Sequence, residues 1–133
     1  MKIPPIAIAA AVAISALAGA VASAGAETLT IPLAAVGGSG ETGSAVLQQI
    51  GPDLKITVHM HHPVAAQQPI HIHPGSCANS NPQPIEMLGL VVNGVASRTL
   101  KNVSLKSLRG KNVINVHYST SKMGTYVSCG PIV

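Results

Sequence analysis

The chain has no Phe and no Trp, and apart from histidine its only aromatic rings are Tyr118 and Tyr126. Charged residues make up 9% of it, and the acids number four: Glu27, Glu41, Asp53 and Glu86. These shortages exclude several chemistries. A basic surface that holds nucleic acid needs clustered cations and stacking rings, and here the Lys and Arg form no run, so no nucleic-acid partner is expected. The acids show no paired arrangement for glycosidic acid–base work. No Gly-x-Ser-x-Gly segment offers a serine nucleophile. The glycines of Gly37-Gly38-Ser39-Gly40 open no helix, so a phosphate cradle is not expected. Cysteine occurs twice, as Cys77 and Cys129, with no Cys-x-x-Cys spacing.

What is present begins with an export signal. Lys2 precedes an apolar run from Ile6 to Val21, and Ala22-Ser23-Ala24 then supplies the small-x-small pattern of a cleavage site. A second such set, Ala24-Gly25-Ala26, spreads the expected cut over residues 22–26. The leader is therefore read as residues 1–24 and the mature domain as residues 27–133. The run is shorter than the ~20 apolar residues that span a bilayer, no basic cluster follows it, and no Cys near the cut could carry a lipid. A periplasmic or secreted protein without a stable membrane anchor is expected. About 109 residues remain, enough for one domain. In an oxidising compartment two cysteines read as a disulfide, the rival being two thiolate metal ligands.

Gly, Pro and Asn punctuate the mature region, and short runs rich in Val, Ile, Leu and Thr lie between them. The runs are Thr28–Leu33, Ala45–Ile50, Leu54–His61, Pro69–His73, Met87–Val92, Ala96–Leu100, Val113–Tyr118 and Thr125–Cys129. Gly51-Pro52-Asp53 separates two of them, and Asn93-Gly94 is a hairpin signal between two others. Ser104–Leu108 fits one short helical turn. Seven or eight short strands without an amphipathic helix predict an all-β fold, a Greek-key barrel or sandwich. Strand alternation assigns faces. Leu54, Ile56, Val58 and Met60 point inward, with His59 and His61 outward. Ile70 and Ile72 oppose His71 and His73, and Ile114 and Val116 oppose Asn115 and His117.

Histidine is where the chemistry gathers. All six residues but His117 lie between positions 59 and 73. His71-x-His73 on a strand sets two imidazoles side by side, close enough to share a metal ion, and imidazole suits copper and zinc. The denser His59, His61, His62 group is a candidate for a further ligand or a second site. Among the methionines, Met60, Met87 and Met123 are soft thioethers that would favour Cu(I); Met60 is read as core filler, and Met123, six residues after His117, is the better ligand candidate.

The segments QPIHIHPGSCA, LVVNGVASRTLKNVSLKSLRGKNVINVHYS and TYVSCGPIV together resemble the copper–zinc superoxide dismutase family. That family carries a His-x-His segment closely followed by a cysteine, a Leu-x-Gly turn, a strand ending in histidine, and a terminal Cys-Gly segment. Here these correspond to His71 and His73, Cys77, Leu108-Arg109-Gly110, His117, and Cys129-Gly130. The resemblance runs from about residue 40 to the end of the chain. It implies a flattened Greek-key barrel, a Cys77–Cys129 disulfide, and His71, His73 and His117 as counterparts of three copper ligands.

The departures bear on function. The family's zinc-binding histidines and aspartate follow the first cysteine, whereas residues 78–92 contain no His and no Asp, so zinc held in the family's manner is not expected. The family's arginine three residues before the second cysteine is here Tyr126, and residues 118–128 leave little room for the family's long channel loop. The sequence thus points first to an exported, non-enzymatic copper-binding protein. A copper-only superoxide dismutase is the alternative, and a metal-free structural or interaction module the third reading. No residue is assigned a catalytic role.

Overall fold

The computed structural model describes residues 1–4 and 27–133, so the leader and its cleavage site fall almost wholly outside the described residues. Eight strands and one helical turn follow in order: β1 Thr28–Ala35, β2 Thr42–Ile50, β3 Asp53–His61, β4 Gln67–Pro74, β5 Glu86–Val92, β6 Val95–Leu100, α1 Leu105–Leu108, β7 Asn112–Ser119 and β8 Lys122–Ile132. All eight anticipated runs are strands, most of them longer by a few residues than their apolar stretch. The extra residues are polar or small positions that join a ladder because a neighbouring strand is already there to pair with them.

The strands close into an antiparallel barrel in the order β1-β2-β3-β6-β5-β4-β7-β8. β4, β5 and β6 follow one another as neighbours, and β7 returns to lie beside β4, which is a Greek key. The tight connections follow local chemistry. Ile50 pairs with Asp53 around Gly51-Pro52. Val92 pairs with Val95 around Asn93-Gly94, whose φ angles of 50° and 83° both lie in the left-handed region. A two-residue turn of that kind matches the twist of the flanking strands, and Asn-Gly tolerates it best. α1 is a single turn started by Ser104, whose side chain accepts from the Ser107 amide.

The core is aliphatic and fills the barrel. Ile31, Leu47, Leu54, Ile56, Ile70, Ile72 and Ile114 are all essentially inaccessible. β3 shows the simple alternation of a strand wet on one face, with Leu54, Ile56, Val58 and Met60 buried and His59 and His61 exposed. β4 and β7 depart from it: Gln68 to His73 and Asn112 to His117 are buried on both faces. The residues of 75–85 fold back over the outer side of these two strands. Their backbone is tied down by Gly75 donating to the Lys111 carbonyl at 2.9 Å, Asn81 to Pro74 at 2.8 Å, and Ile85 to Ile72 at 2.9 Å. The Asn115 amide nitrogen donates to Ser80 Oγ at 3.2 Å.

A disulfide joins Cys77 in this loop to Cys129 on β8, with Cα atoms 5.9 Å apart and 52 positions between them in sequence. No helix among the described residues is long and apolar enough to cross a membrane. Crosslinking a loop of this length removes chain entropy from the unfolded state equivalent to about 4 kcal/mol. Replacing both cysteines by serine is expected to lower the unfolding free energy by roughly that amount. Urea titration of the oxidised protein and the double variant checks it, and a loss under about 1 kcal/mol would mean that the loop holds its place without the bond.

Candidate metal centre

The strand pattern explains how three histidines come together. His71 and His73 occupy alternate positions of β4 and so share its outer face. β7 lies against β4, with His71 opposite Asn115 and Ile70 opposite Val116. His117, two residues beyond Asn115, takes the same outer face. The pairing of β7 with β8 is irregular on both sides of His117, which stands opposite Tyr126. A bulge of that kind bends a strand and re-aims a side chain.

The three rings form a compact group. Centroid separations are 4.5 Å for His71–His117, 5.5 Å for His73–His117 and 5.6 Å for His71–His73. One ligand nitrogen from each lies within 4.8 Å of the others, and this is the one such group of three His, Cys, Asp or Glu residues among the described residues. All three are buried, at 6%, 1% and 2% exposure for His71, His73 and His117. They could hold a metal ion.

Two of the rings have their tautomers set by the backbone. His73 Nδ1 lies 2.7 Å from the Asn81 carbonyl, and His117 Nδ1 lies 2.6 Å from the Met123 carbonyl. A carbonyl oxygen only accepts, so each Nδ1 carries the hydrogen and donates it. In the neutral rings the bare lone pairs are then on Nε2, and these two atoms face each other at 3.4 Å. Without a proton between them the contact is not a hydrogen bond; two lone pairs converge on one point. An ion bound at about 2.0–2.1 Å from each nitrogen would see the pair at an angle of roughly 110°, within the range of three- or four-coordinate metals. Donation of the other ring nitrogen to a carbonyl is also the usual way in which ligand histidines are oriented.

Burial favours the neutral form of two of the donors. The His71 pKa is pushed down to about 4, first by desolvation and then by the neighbouring His117 and His73. His117 is also held below the ordinary value, mainly by desolvation and partly offset by its bond to the Met123 carbonyl. Near pH 7 neither ring must shed a proton before it can bind a metal.

The histidines open into a cleft of about 340 Å³. Met87 and Met123 line it, and Tyr126 forms one wall, its ring edge-on to His117 at 4.9 Å. Pro82 and Pro84 of the covering loop form part of the rim. The loop's path begins at Gly75, whose φ of 109° and close approach to the Asn79 carbonyl leave no room for a side chain.

The remaining candidates sit elsewhere. His59, His61 and His62 lie on or just after β3, which is four strands from β7 around an eight-strand ring and so on the opposite wall. His59 and His61 project outward there, and none of the three joins the buried histidines. Met123, on β8, lines the cleft. Two participants had no clear mark in the sequence. The Asn81 and Met123 carbonyls act through backbone atoms that any residue carries. Met87, one of the soft thioethers in the sequence, reaches the cleft through a cross-strand register that spacing does not display. Comparison with known proteins finds no protein-family model and no curated protein that matches the chain.

The depressed imidazole pKa values set an acid limb on stability. Between pH 6.5 and about 4 the unfolded chain takes up a proton at His71 that the folded chain refuses. The metal-free protein therefore loses stability as pH falls through that window, and His71 adds no further loss below it. His71→Gln, which does not titrate, should flatten the limb. Denaturation midpoints of metal-free protein at several pH values across the window measure it, and an unaltered slope in the variant would assign the limb to other groups.

Proposed function

We propose that the chain is an exported copper-binding protein of superoxide dismutase-like fold, holding a single copper ion on His71, His73 and His117 for buffering, delivery or protection. The observation that carries this reading is the convergence of the two Nε2 lone pairs at 3.4 Å, each fixed by a backbone carbonyl behind its ring. An imidazole-only donor set suits copper. Export is supported by the leader pattern and by the disulfide, which persists in oxidising compartments. The likeness to the dismutases is supported by the barrel, by the order of the motifs along it and by the position of the disulfide.

Binding is favoured over turnover by what surrounds the site. Steering superoxide calls for a cationic funnel, and no Lys or Arg lines the cleft. Tyr126 stands where the resembled family has its arginine, and β7 turns into β8 through only Thr120 and Ser121, with Ser119 paired to Lys122. A copper-only dismutase remains the second reading, favoured by the opening of the cleft to solvent.

Untagged protein loaded with copper should retain close to one ion per chain after desalting. At copper a hundredfold above its Kd, linkage should raise stability by about 2.7 kcal/mol. His73→Ala and His117→Ala should each abolish retention. Retention unchanged in both variants would sink the reading, and a metal-free module would show no thermal shift at all. Superoxide consumption by the loaded protein should not exceed that of free copper; a rate far above it would establish the dismutase instead.

A further inference from the structure

The outer surface of a strand beside a solvent-open cleft is an unusual place for a bare thioether, yet Met87 stands there at 59% exposure. Its position follows from a register shift. Pro69 of β4 pairs with Leu90, but His71 pairs with Met87, so β5 carries one residue more than β4 in this interval. Gly89, at a φ of 80°, lies within the extra length. An unshifted ladder would have set Leu88 opposite His71. The bulge instead sends Leu88 into the core, at 3% exposure, and brings Met87 to the outer face beside the imidazole. Directly opposed residues have Cβ atoms about 4.5–5.5 Å apart, within reach of a flexible thioether arm. On the far side of the rings, Met123 holds His117 through its carbonyl while lining the same cleft.

A second observation is independent of the sulfurs. The cleft contains imidazoles, thioethers, prolines, an amide and a phenol, and no carboxylate lines it. Moving an ion from water into such neutral surroundings costs an energy that grows with the square of its charge. A divalent ion gains no opposing charge there, and a monovalent one needs much less compensation.

From these two observations we propose that the centre is selective for copper(I), with a thioether as the fourth donor beside the three histidines, and with Met87 as the leading donor and Met123 as its partner. The proposal rests on the copper-binding reading above and adds to it the oxidation state and the ligand. Soft sulfur prefers the soft monovalent ion, while imidazole binds either state. The sulfurs therefore tilt the site toward Cu(I) without being needed for metal binding as such.

The test compares wild-type protein with Met87→Leu, Met123→Leu and the double variant. Leucine keeps the apolar volume and removes only the sulfur. Cu(I) affinity is read anaerobically by competition with bathocuproine disulfonate, and Cu(II) affinity by competition with glycine. The double variant should lose Cu(I) affinity by about tenfold or more and hold Cu(II) within about threefold, with Met87→Leu giving the larger single effect. X-ray absorption of the Cu(I)-loaded wild type should show one sulfur neighbour that the double variant lacks. Equal Cu(I) affinity in wild type and double variant, or a first shell of nitrogen alone, would overturn the thioether assignment. If copper is still lost on His73→Ala in that case, the histidine site stands without it. A wild type that binds neither oxidation state would overturn both.

Discussion

The fixed point of this structure is the staple that holds residues 75–85 against the outside of the barrel. One row of the sheet shows its geometry. His71 on β4 pairs with Asn115 on β7, and Asn115 pairs with Cys129 on β8. The disulfide rises from the end of that row to Cys77, Ser80 bonds Asn115 in its middle, and Asn81 then reaches His73. An imidazole on an uncovered barrel face would be solvated, mobile and ready to protonate. Beneath this loop the same residue type is dry, and the rings of His73 and His117 are each held in one tautomer. The bond that stabilises the fold by restricting the unfolded chain therefore also makes the outer face of β4 and β7 a chemical site.

The barrel was largely legible because its signals are local. Alternation in Leu54–His61 and the Asn93-Gly94 turn act over two to eight residues, and neither depends on what lies across the barrel. The same parity correctly set His71, His73 and His117 on the outer face, and the resemblance put them together. The burial of that face was not legible. Alternation says which side a residue takes, while dryness depends on a Pro- and Asn-rich loop whose path is fixed by Gly75, a disulfide and backbone hydrogen bonds. Density of histidine along the chain was a poor guide for a related reason. His59, His61 and His62 are close in sequence to His71, but the Greek-key crossing from β3 to β4 carries the chain to another wall of the barrel. His117, more than forty residues away, arrives beside His71 because β7 returns to pair with β4.

The site's electrostatics bear on what kind of protein this is. An enzyme that turns over a small anion must attract it, admit it and supply protons. A protein that holds a metal must offer neutral donors, exclude competing protons and limit access. Desolvation answers the second set of needs, since it lowers the proton affinity of His71 and His117 while leaving their lone pairs available. The lining of the cleft holds no Lys or Arg. Tyr126 acts in the same direction: its neutral ring, packed edge-on against His117, contributes apolar bulk to the wall of the cleft.

The cost of that design falls on the metal-free state. The two Nε2 atoms sit 3.4 Å apart, and neither ring can turn away without giving up its bond to a backbone carbonyl. The fold therefore holds the two nitrogens close together, where a metal ion could bridge them. A protein whose covering loop is fastened by a disulfide can maintain such an arrangement on its own, so little ordering entropy would oppose the binding of a metal ion there.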